Sequence, residues 1–251
     1  MRNLSKASLC STLALATALL AAPRPAAAQF VGTVISQTGA NAHALGNGQM
    51  QINVTSPQAV INWSATGASS NGLVTFQNAN AVAEFQGNGQ FAVLNRVFPT
   101  ATGSAIMLNG IITTSINGQN GGGTVFFYSP NGIVIGANAA INVGSLGLTT
   151  SNLLDDGNGN WLSGFGNGTM TLNFQQANSN SYIRVDPNAS VGVFGQNNFI
   201  ALVSPRIDVQ GTIKTDGVAA LVAADPATSK PNLLPAPNSI VIASFLATLT
   251  R

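Results

Sequence analysis

Charged side chains are scarce in this chain, and cysteine is nearly absent. Of the 251 residues, 6% are Asp, Glu, Lys or Arg, against about 25% in ordinary soluble domains. The single cysteine is Cys10, close to the N terminus, so no disulfide can form within one chain. Backbone hydrogen bonds and apolar packing must therefore stabilise the fold without covalent cross-links.

Residues 1–28 have the features of a secretory signal peptide. Arg2 and Lys6 supply a basic start, residues 10–22 form a short apolar run, and residues 26–28 are small alanines suited to cleavage. The apolar run is too short to cross a bilayer comfortably. We therefore expect an exported protein whose mature chain starts at Gln29.

Without this leader, the chain loses the excess of basic residues that gives it a formal charge of +2. Six basic and seven acidic side chains remain, for a net charge of −1. The sequence contains neither a basic patch for nucleic acid nor a cationic amphipathic face for lipid. We therefore expect no nucleic-acid partner, and the short apolar runs predict that the protein is not transmembrane.

Asparagine and glycine take the place of charge, with 28 and 27 residues respectively. Both tolerate the left-handed backbone of tight turns. Residues 123–148 show the resulting pattern best, because short runs with apolar residues two apart alternate with Pro-Asn-Gly and Gly-Ala-Asn turns. Strands this short must stack on copies of themselves, so the sequence predicts an all-β fold of the solenoid type.

The chain divides into a strand-rich body and a proline-rich end. The body is predicted at 29–225, with a loop at 39–48 and a turn-rich segment at 151–168 that leaves the stack. Residues 226–251 are predicted to form a proline-rich connector and a terminal strand at 239–249. The strands predicted in the body are 30–36, 50–54, 58–64, 73–77, 81–85, 91–97, 106–112, 125–128, 133–135, 169–174, 182–185, 191–194, 199–203, 207–213 and 218–223.

A weak repeat places proline after an apolar residue and a Ser or Asp. The prolines are Pro130, Pro187 and Pro205. The interval between the first two is close to three times the interval between the last two. Because proline fixes φ, this spacing predicts a coil as long as the step from Pro187 to Pro205, with proline at the same corner each time.

The run from Ser129 to Ile133 resembles the Asn-Pro-Asn-Gly-Ile motif of two-partner-secretion (TPS) domains, also called filamentous haemagglutinin N-terminal domains. Residues 60–64, 93–97, 141–150 and 199–205 are similar to further stretches of the family and follow its order. The likeness extends over residues 30–225. Ser129 stands where the family has Asn, and its hydroxyl can cap the same turn. The family's other common motif, Asn-Pro-Asn-Leu, is absent.

The resemblance implies a right-handed parallel β-helix with an N-terminal cap and extra-helical strands or a loop. It implies a secreted or cell-surface protein of a Gram-negative bacterium. Such a protein passes through the periplasm and is exported by an outer-membrane β-barrel transporter with POTRA domains. The domain would direct that export and nucleate β-helix folding, as part of an adhesin-type protein with host or bacterial surface ligands.

The resemblance also assigns site residues. The secretion motif is Ser129, Pro130, Asn131, Gly132 and Ile133. Four further positions are family-defining or recognise the transporter, namely Asn62, Trp63, Asn95 and Arg96.

Residue types that catalysis and metal binding need are few. The one histidine, His43, falls in the predicted loop. Asp155 and Asp156 are adjacent, so their side chains diverge, and no third ligand is evident. Trp63 and Trp161 are interpreted as core or cap packing. We expect no enzyme activity, no metal and no cofactor.

Three alternatives stand beside the export domain. A small self-associating surface or matrix protein would pair its open C-terminal coil with a second chain. A carbohydrate-active β-helix enzyme would need clustered carboxylates, or Arg96, Arg184 and Arg206 stacked along a groove. A truncated or split gene would leave the export module alone, since domains of this family usually precede a long rod or effector.

Overall fold

The computed structural model describes residues 30–67, 69–155, 159–165, 169–175, 177–195, 198–223 and 239–243. The predicted signal peptide and most of the predicted connector lie outside these residues. Within them the chain forms strands and turns, with no helix and hence none long and apolar enough to cross a membrane.

Three mainly parallel sheets contain most of the strands, which are numbered in chain order. Sheet 1 contains, in order of pairing, β1 (Gly32–Thr38), β4 (Gln58–Ala65), β8 (Ala92–Pro99), β12 (Thr124–Tyr128), β15 (Ser145–Thr149), β20 (Phe199–Ser204) and β23 (Val218–Ala223). Sheet 2 contains β2 (Ala40–Gly46), β3 (Gln49–Val54), β7 (Val82–Gly87), β10 (Ile111–Ile116), β14 (Ala140–Val143), β19 (Ser190–Val193) and β22 (Thr212–Thr215), with β11 (Gln119–Asn120) paired to β10.

Sheet 3 completes the stack, and a smaller side sheet lies apart from it. Sheet 3 contains β21 (Arg206–Val209), β18 (Tyr182–Val185), β13 (Gly132–Ile135), β9 (Ala105–Leu108), β6 (Leu73–Gln77) and β5 (Ser69–Ser70). The side sheet contains β16 (Leu162–Ser163), β17 (Thr169–Asn173) and β24 (Ser239–Ala243).

The chain passes from sheet 2 to sheet 1 to sheet 3 and then repeats. Thus β7, β8 and β9 are followed by β10, β12 and β13, and each strand pairs in parallel with its equivalent in the next coil. Five coils are complete in the described part of the chain, starting at β3, β7, β10, β14 and β19, and β22 and β23 begin a sixth. The predicted all-β parallel β-helix is confirmed.

Each coil is longer than the proline spacing predicts. β7 begins at Val82 and β10 at Ile111, a step well beyond the interval from Pro187 to Pro205. The shorter step from β19 at Ser190 to β22 at Thr212 also exceeds that interval. Three strands and three corners need more chain than the proline interval supplies, so the predicted coil length is wrong.

Two of the three repeated prolines share a corner. Tyr128 and Val203 are matched in register through β15, so Pro130 and Pro205 both lie two residues beyond matched positions, between sheets 1 and 3. Pro187 follows β18 and lies between sheets 3 and 2. The prediction of one corner for all three is therefore wrong, because proline suits any corner that needs its φ.

β1 and β2 close the N-terminal end of the stack. β1 pairs antiparallel with β4, and β2 pairs antiparallel with β3. The ring of Phe30 packs against Trp63 and Phe76, with centroids 5.4 and 4.7 Å away. These rings cover the apolar core at the first coil, as an N-terminal cap must do.

The predicted loop at 39–48 is wrong. Only Asn47 and Gly48, with φ of 51° and 77°, form the turn, and residues 40–46 pair with β3. His43 therefore lies on a strand, opposite Gln51. The residues of this strand are small or polar and show no apolar alternation, so the sequence gives no strand signal. The segment becomes a strand because it pairs with β3 in the folded protein.

Alternate residues of each coil point into the space between the three sheets. Their side chains are aliphatic or aromatic and almost fully buried, for example Ile52, Phe85, Ile112 and Ile141 on sheet 2. Each buried side chain of this size contributes about 1.5–3 kcal/mol. Asparagine takes the left-handed conformation at turns, as the composition predicts, at Asn47, Asn71, Asn80, Asn117 and Asn188.

The described residues between 150 and 181, here called the extra-helical segment, leave the stack between β15 and β18. β16 and β17 pair antiparallel, and β17 also pairs with β24. The prediction that 151–168 leaves the stack is confirmed for residues 151–155 and 159–165, but the strand predicted at 169–174 belongs to the side sheet and not to a coil. Alternation alone does not distinguish the two, since either packing buries one face of a strand.

The extra-helical segment covers the outer face of sheet 1. A second apolar cluster forms there from both parts of the chain, and it includes Val60, Leu94, Phe126, Leu153, Trp161, Leu172, Phe174 and Phe199. The inner strands β12, β15 and β20 are thus buried on both faces, which explains why β12 and β20 read as continuous apolar runs.

Candidate functional site

The predicted motif forms the corner between β12 and β13 in the third coil. Ser129 N donates to Thr149 O at 3.2 Å. Proline fixes φ at the next position, and Gly132 has φ of 147°, a conformation that other residues rarely adopt. Ile133 then enters sheet 3 between Ile106 and Ile183 and is fully buried.

A column of buried hydroxyls lies behind this corner. The Ser129 hydroxyl makes no hydrogen bond to any residue that the structure describes, so the prediction that it caps the turn is wrong; the backbone N–H of Ser129 and the fixed φ of Pro130 hold the corner instead. Ser129, Thr150 and Ser204 occupy equivalent positions in successive coils of sheet 1. Thr150 Oγ1 donates to Ser204 Oγ at 3.0 Å, and Ser181 Oγ donates to Thr150 Oγ1 at 2.8 Å. Sequence reasoning missed this column, although the equivalent Ser-Pro pairs at 129–130 and 204–205 are a signal for it.

Only part of the motif reaches solvent. Ser129, Gly132 and Ile133 are buried, whereas Pro130 and Asn131 are partly exposed. Asn131 Oδ1 accepts a hydrogen bond from Asn178 Nδ2 at 3.3 Å. The solvent-accessible part of the motif is therefore the Pro130–Asn131 edge, and its other residues shape the corner.

Trp63 and Asn95 form a buried pair inside the stack. Trp63 Nε1 donates to Asn95 Oδ1 at 3.0 Å, and Asn95 Nδ2 donates to Phe126 O at 3.1 Å. Asn95 is fully buried and Trp63 is nearly so. These bonds connect β4, β8 and β12, and the interpretation of Trp63 as core packing is confirmed.

Asn62 and Arg96 lie side by side on the outer face of sheet 1. Asn62 Nδ2 donates to Ser36 Oγ on β1 at 2.7 Å. Arg96 donates to Leu153 O and to the Asp155 carboxylate, both at 2.5 Å. The Arg96 side chain is 13% exposed, so its guanidinium interacts mainly with the extra-helical segment and little with solvent.

Tyr128 completes this corner on the strand next to Arg96. The two residues are partners in register, and the Tyr128 ring packs edge-on against Phe98 with centroids 6.1 Å apart. Burial raises the pKa of the Tyr128 phenol above its ordinary value of 10.0, and the charge of Arg96 lowers the pKa by less.

The nine predicted positions therefore lie on three adjacent strands of sheet 1 and on the corner that leads from the third of them into sheet 3. Asn62 and Trp63 are on β4, Asn95 and Arg96 are on β8, residues 129–131 follow β12, and Gly132 and Ile133 begin β13 on sheet 3. The structure brings them together as one corner of the stack, with a buried part and a small exposed edge.

Of the other polar candidates, Arg184 and Arg206 lie on the paired strands β18 and β21 of sheet 3, whereas Arg96 is on sheet 1 and Glu84 is on sheet 2. Glu84 accepts a hydrogen bond from Ser115 Oγ at 3.1 Å, and Arg184 pairs with Asp186 at 2.6 Å. Arg206 lies over the Tyr182 ring, 5.7 Å from its centroid. In the described part of the chain, no three His, Cys, Asp or Glu residues are grouped to hold a metal ion. Asp156 lies outside the described residues.

The comparisons with known proteins agree with this architecture. The sequence matches the family model of the TPS secretion domain over residues 28–247. The fold is similar to the crystal structure of the HMW1 secretion domain from Haemophilus influenzae, with a TM-score of 0.52 and 21% sequence identity. The match covers 86% of this chain and 49% of that chain, so this chain spans about half of it. That likeness shows the fold alone. No curated protein gives a significant match.

Proposed function

Because the chain belongs to the TPS secretion domain family, we propose that it directs export through a partner transporter in the outer membrane. The family match over residues 28–247 carries this proposal, and the parallel β-helix supports it. The family is one of secretion domains and not of enzymes, and the proposed function includes no catalytic step.

The composition suits passage through a transporter in an extended form. Without an intrachain disulfide, no covalent loop has to be opened before transport. Most strands of the stack gain partners only from the coils before and after them. We propose that the POTRA domains of the transporter bind the extended chain in the periplasm, and that the first coils then nucleate folding outside the cell.

The exposed edge at Pro130 and Asn131 is the proposed contact with the transporter. The buried positions Trp63, Asn95, Ser129, Gly132 and Ile133 are then structural, because they connect neighbouring coils and fix the corner. Asn62 and Arg96 hold elements that lie against sheet 1.

The proposed location of the exported chain is the cell surface or the medium, in an adhesin-type protein. A β-helix is a stiff support whose length grows by about 4.8 Å per coil, which suits presentation of a binding end away from the membrane. Adherence of producing and non-producing cells to host or bacterial cell layers tests this part. Equal adherence would refute it.

Co-expression in a Gram-negative host tests the export proposal. With its cognate transporter, the chain is expected at the surface or in the medium; without it, the chain is expected in the periplasm. A transporter without its POTRA domains should also leave the chain in the periplasm. Equal amounts outside the cell in all three strains would refute the proposal, as would retention in all three.

Asn131→Ala separates recognition from folding. The change removes a partly exposed amide at the motif, so export should fall while the circular dichroism of the purified protein stays unchanged. Asn138→Ala is the matched control, at an exposed turn between β13 and β14 of the same coil, and should be exported normally. Equal export of both variants would remove Asn131 from the proposed contact.

Gly132→Ala is unsuitable as a test of recognition alone. A Cβ at Gly132 would lie 2.8 Å from Tyr182 O and 3.0 Å from Ala105 Cβ, at a φ of 147°. The variant should therefore lose stability as well as export, because it strains the corner.

A further inference from the structure

The extra-helical segment binds coils far from the one that it leaves. It starts after β15 in the fourth coil, yet Gln58 on β4 of the first coil binds its backbone. Gln58 Nε2 donates to Leu162 O at 2.8 Å, and Gln58 Oε1 accepts from Trp161 N and Leu162 N at 3.1 and 3.0 Å. Trp161 Nε1 donates to Ala59 O at 3.0 Å.

The second and third coils are bound as well. On β8, Arg96 donates to Leu153 O and pairs with Asp155. On β12, the Phe126 ring packs against Trp161 with centroids 5.0 Å apart. The contacts of the segment thus run along sheet 1 from the first coil to the third.

The fifth coil joins the same cluster. Phe126 packs against Phe199 on β20 with centroids 6.0 Å apart, and Phe199 shares the apolar cluster of the segment. Thr150, the first residue of the segment, donates its backbone N–H to Val203 O at 3.1 Å. The segment therefore joins residues of the first three coils to the fifth.

This arrangement changes how the stack responds to local opening. In a simple solenoid, each repeat contacts only its neighbours, and stability is a sum of local terms. A segment that binds several coils at once adds a further stabilising free energy. That contribution is present only when those coils are folded together and the segment is docked on them. The contacts at Gln58 join residues 103 and 104 positions apart in the sequence. Closing so long a loop in an unfolded chain costs conformational entropy, so these contacts are expected to form after the coils between them have folded.

We propose that the extra-helical segment is a late-docking latch, held by Gln58 and Arg96, that joins separate coils into one cooperative folding unit. Its docking surface consists of β4, β8 and β12, which are adjacent only once the first three coils have stacked. The inference concerns folding of the chain and does not depend on the proposed export partner.

Pulse-labelling hydrogen exchange during refolding of the unmodified protein tests whether the segment docks after the coils have stacked. Amides of β8 and β12 should gain protection before those of Trp161, Leu162 and Leu172. Protection of the segment at the same time as the coils, or before them, would overturn the proposal. This measurement needs no variant and therefore stands if a substitution prevents folding.

Native-state hydrogen exchange of Arg96→Gln tests whether Arg96 holds the extra-helical segment on sheet 1. Exchange of the amides in β16 and β17 should accelerate about tenfold, since charge-assisted hydrogen bonds are lost. The amides of β4, β8 and β12 should accelerate with them, because the proposal makes these strands and the segment one cooperative unit. Arg184→Gln is the matched control, because Arg184 pairs with Asp186 on sheet 3, and it should leave the segment and these strands unchanged. Acceleration confined to β16 and β17 in Arg96→Gln, or no acceleration, would overturn the proposal.

Discussion

Single buried polar side chains hold neighbouring coils of this protein together. Asn95 is fully buried and bridges two coils, because it accepts from the Trp63 indole and donates to the Phe126 carbonyl. In a low-dielectric interior such bonds are strong, and an unpaired group is costly. The family resemblance marks Trp63 and Asn95 as two positions, whereas the fold shows that they act as a pair.

Asn95→Ala should lower the free energy of unfolding by about 2–4 kcal/mol, since it leaves an indole N–H and a carbonyl unpaired in the core. Urea unfolding followed by circular dichroism measures the loss. Asn138→Ala, at an exposed turn, should change stability by no more than about 0.5 kcal/mol. Similar losses in the two variants would contradict the role given to the Trp63–Asn95 pair.

Tyr128 should make the fold sensitive to alkali. Burial raises its pKa in the folded state, so below the unfolded-state value of 10.0 the neutral phenol is present in both states. As the pH rises above that value, the unfolded chain releases the proton more readily, and the folded state loses stability. Urea unfolding at pH 8 and 11 should show a larger loss for the unmodified protein than for Tyr128→Phe. Parallel losses would contradict the prediction.

At the scale of elements, strands with the same alternation take two different places. β17 reads like a strand of a coil, yet it pairs with β16 and β24 and covers sheet 1 from outside. The outer face of sheet 1 carries Val60, Leu94 and Phe126, which would be exposed without that cover. The extra-helical segment is therefore as much a part of the core as any coil.

Replacing residues 152–180 with a short Gly-Ser linker should leave a stack that self-associates. The uncovered face of sheet 1 would form a continuous apolar patch, which monomeric proteins rarely expose. The β signal in circular dichroism should remain, while ANS fluorescence and light scattering increase. A monomer that does not bind ANS would show that sheet 1 does not need its cover.

At the scale of the whole molecule, charge contributes little to stability. Charged residues are 6% of the chain. Of the two ion pairs in the described part of the chain, Arg96–Asp155 is mostly buried, and Arg184–Asp186 is partly exposed. Surface ion pairs contribute about 0–1 kcal/mol each and are screened by salt. Ladder hydrogen bonds and two apolar clusters account for the fold instead.

The free energy of unfolding should therefore change by less than about 1 kcal/mol between low and high NaCl concentration, because few exposed pairs are available to screen. Urea unfolding in about 0.1 and 1 M NaCl measures this. Arg184→Gln, which removes the more exposed of the two pairs, should show a still smaller dependence than the unmodified chain. A change of several kcal/mol would reveal an electrostatic contribution that the ion pairs do not explain.

The sequence by itself determined what depends on neighbours along the chain. Period-two alternation gave short strands, Asn and Gly gave left-handed turns such as Asn117–Gly118, and the order of motifs gave the family. The corner of Pro130 and its equivalent at Pro205 were also visible as Ser-Pro pairs.

The tertiary structure decided which strands meet. It made a strand of residues 40–46, placed Pro187 at a different corner, and moved residues 169–173 from the stack to the side sheet. It also joined Arg96 to Asp155, 59 positions away, and Gln58 to Leu162, 104 positions away. A local pattern fixes which face of a strand is apolar, but only the stacked coils determine what covers that face.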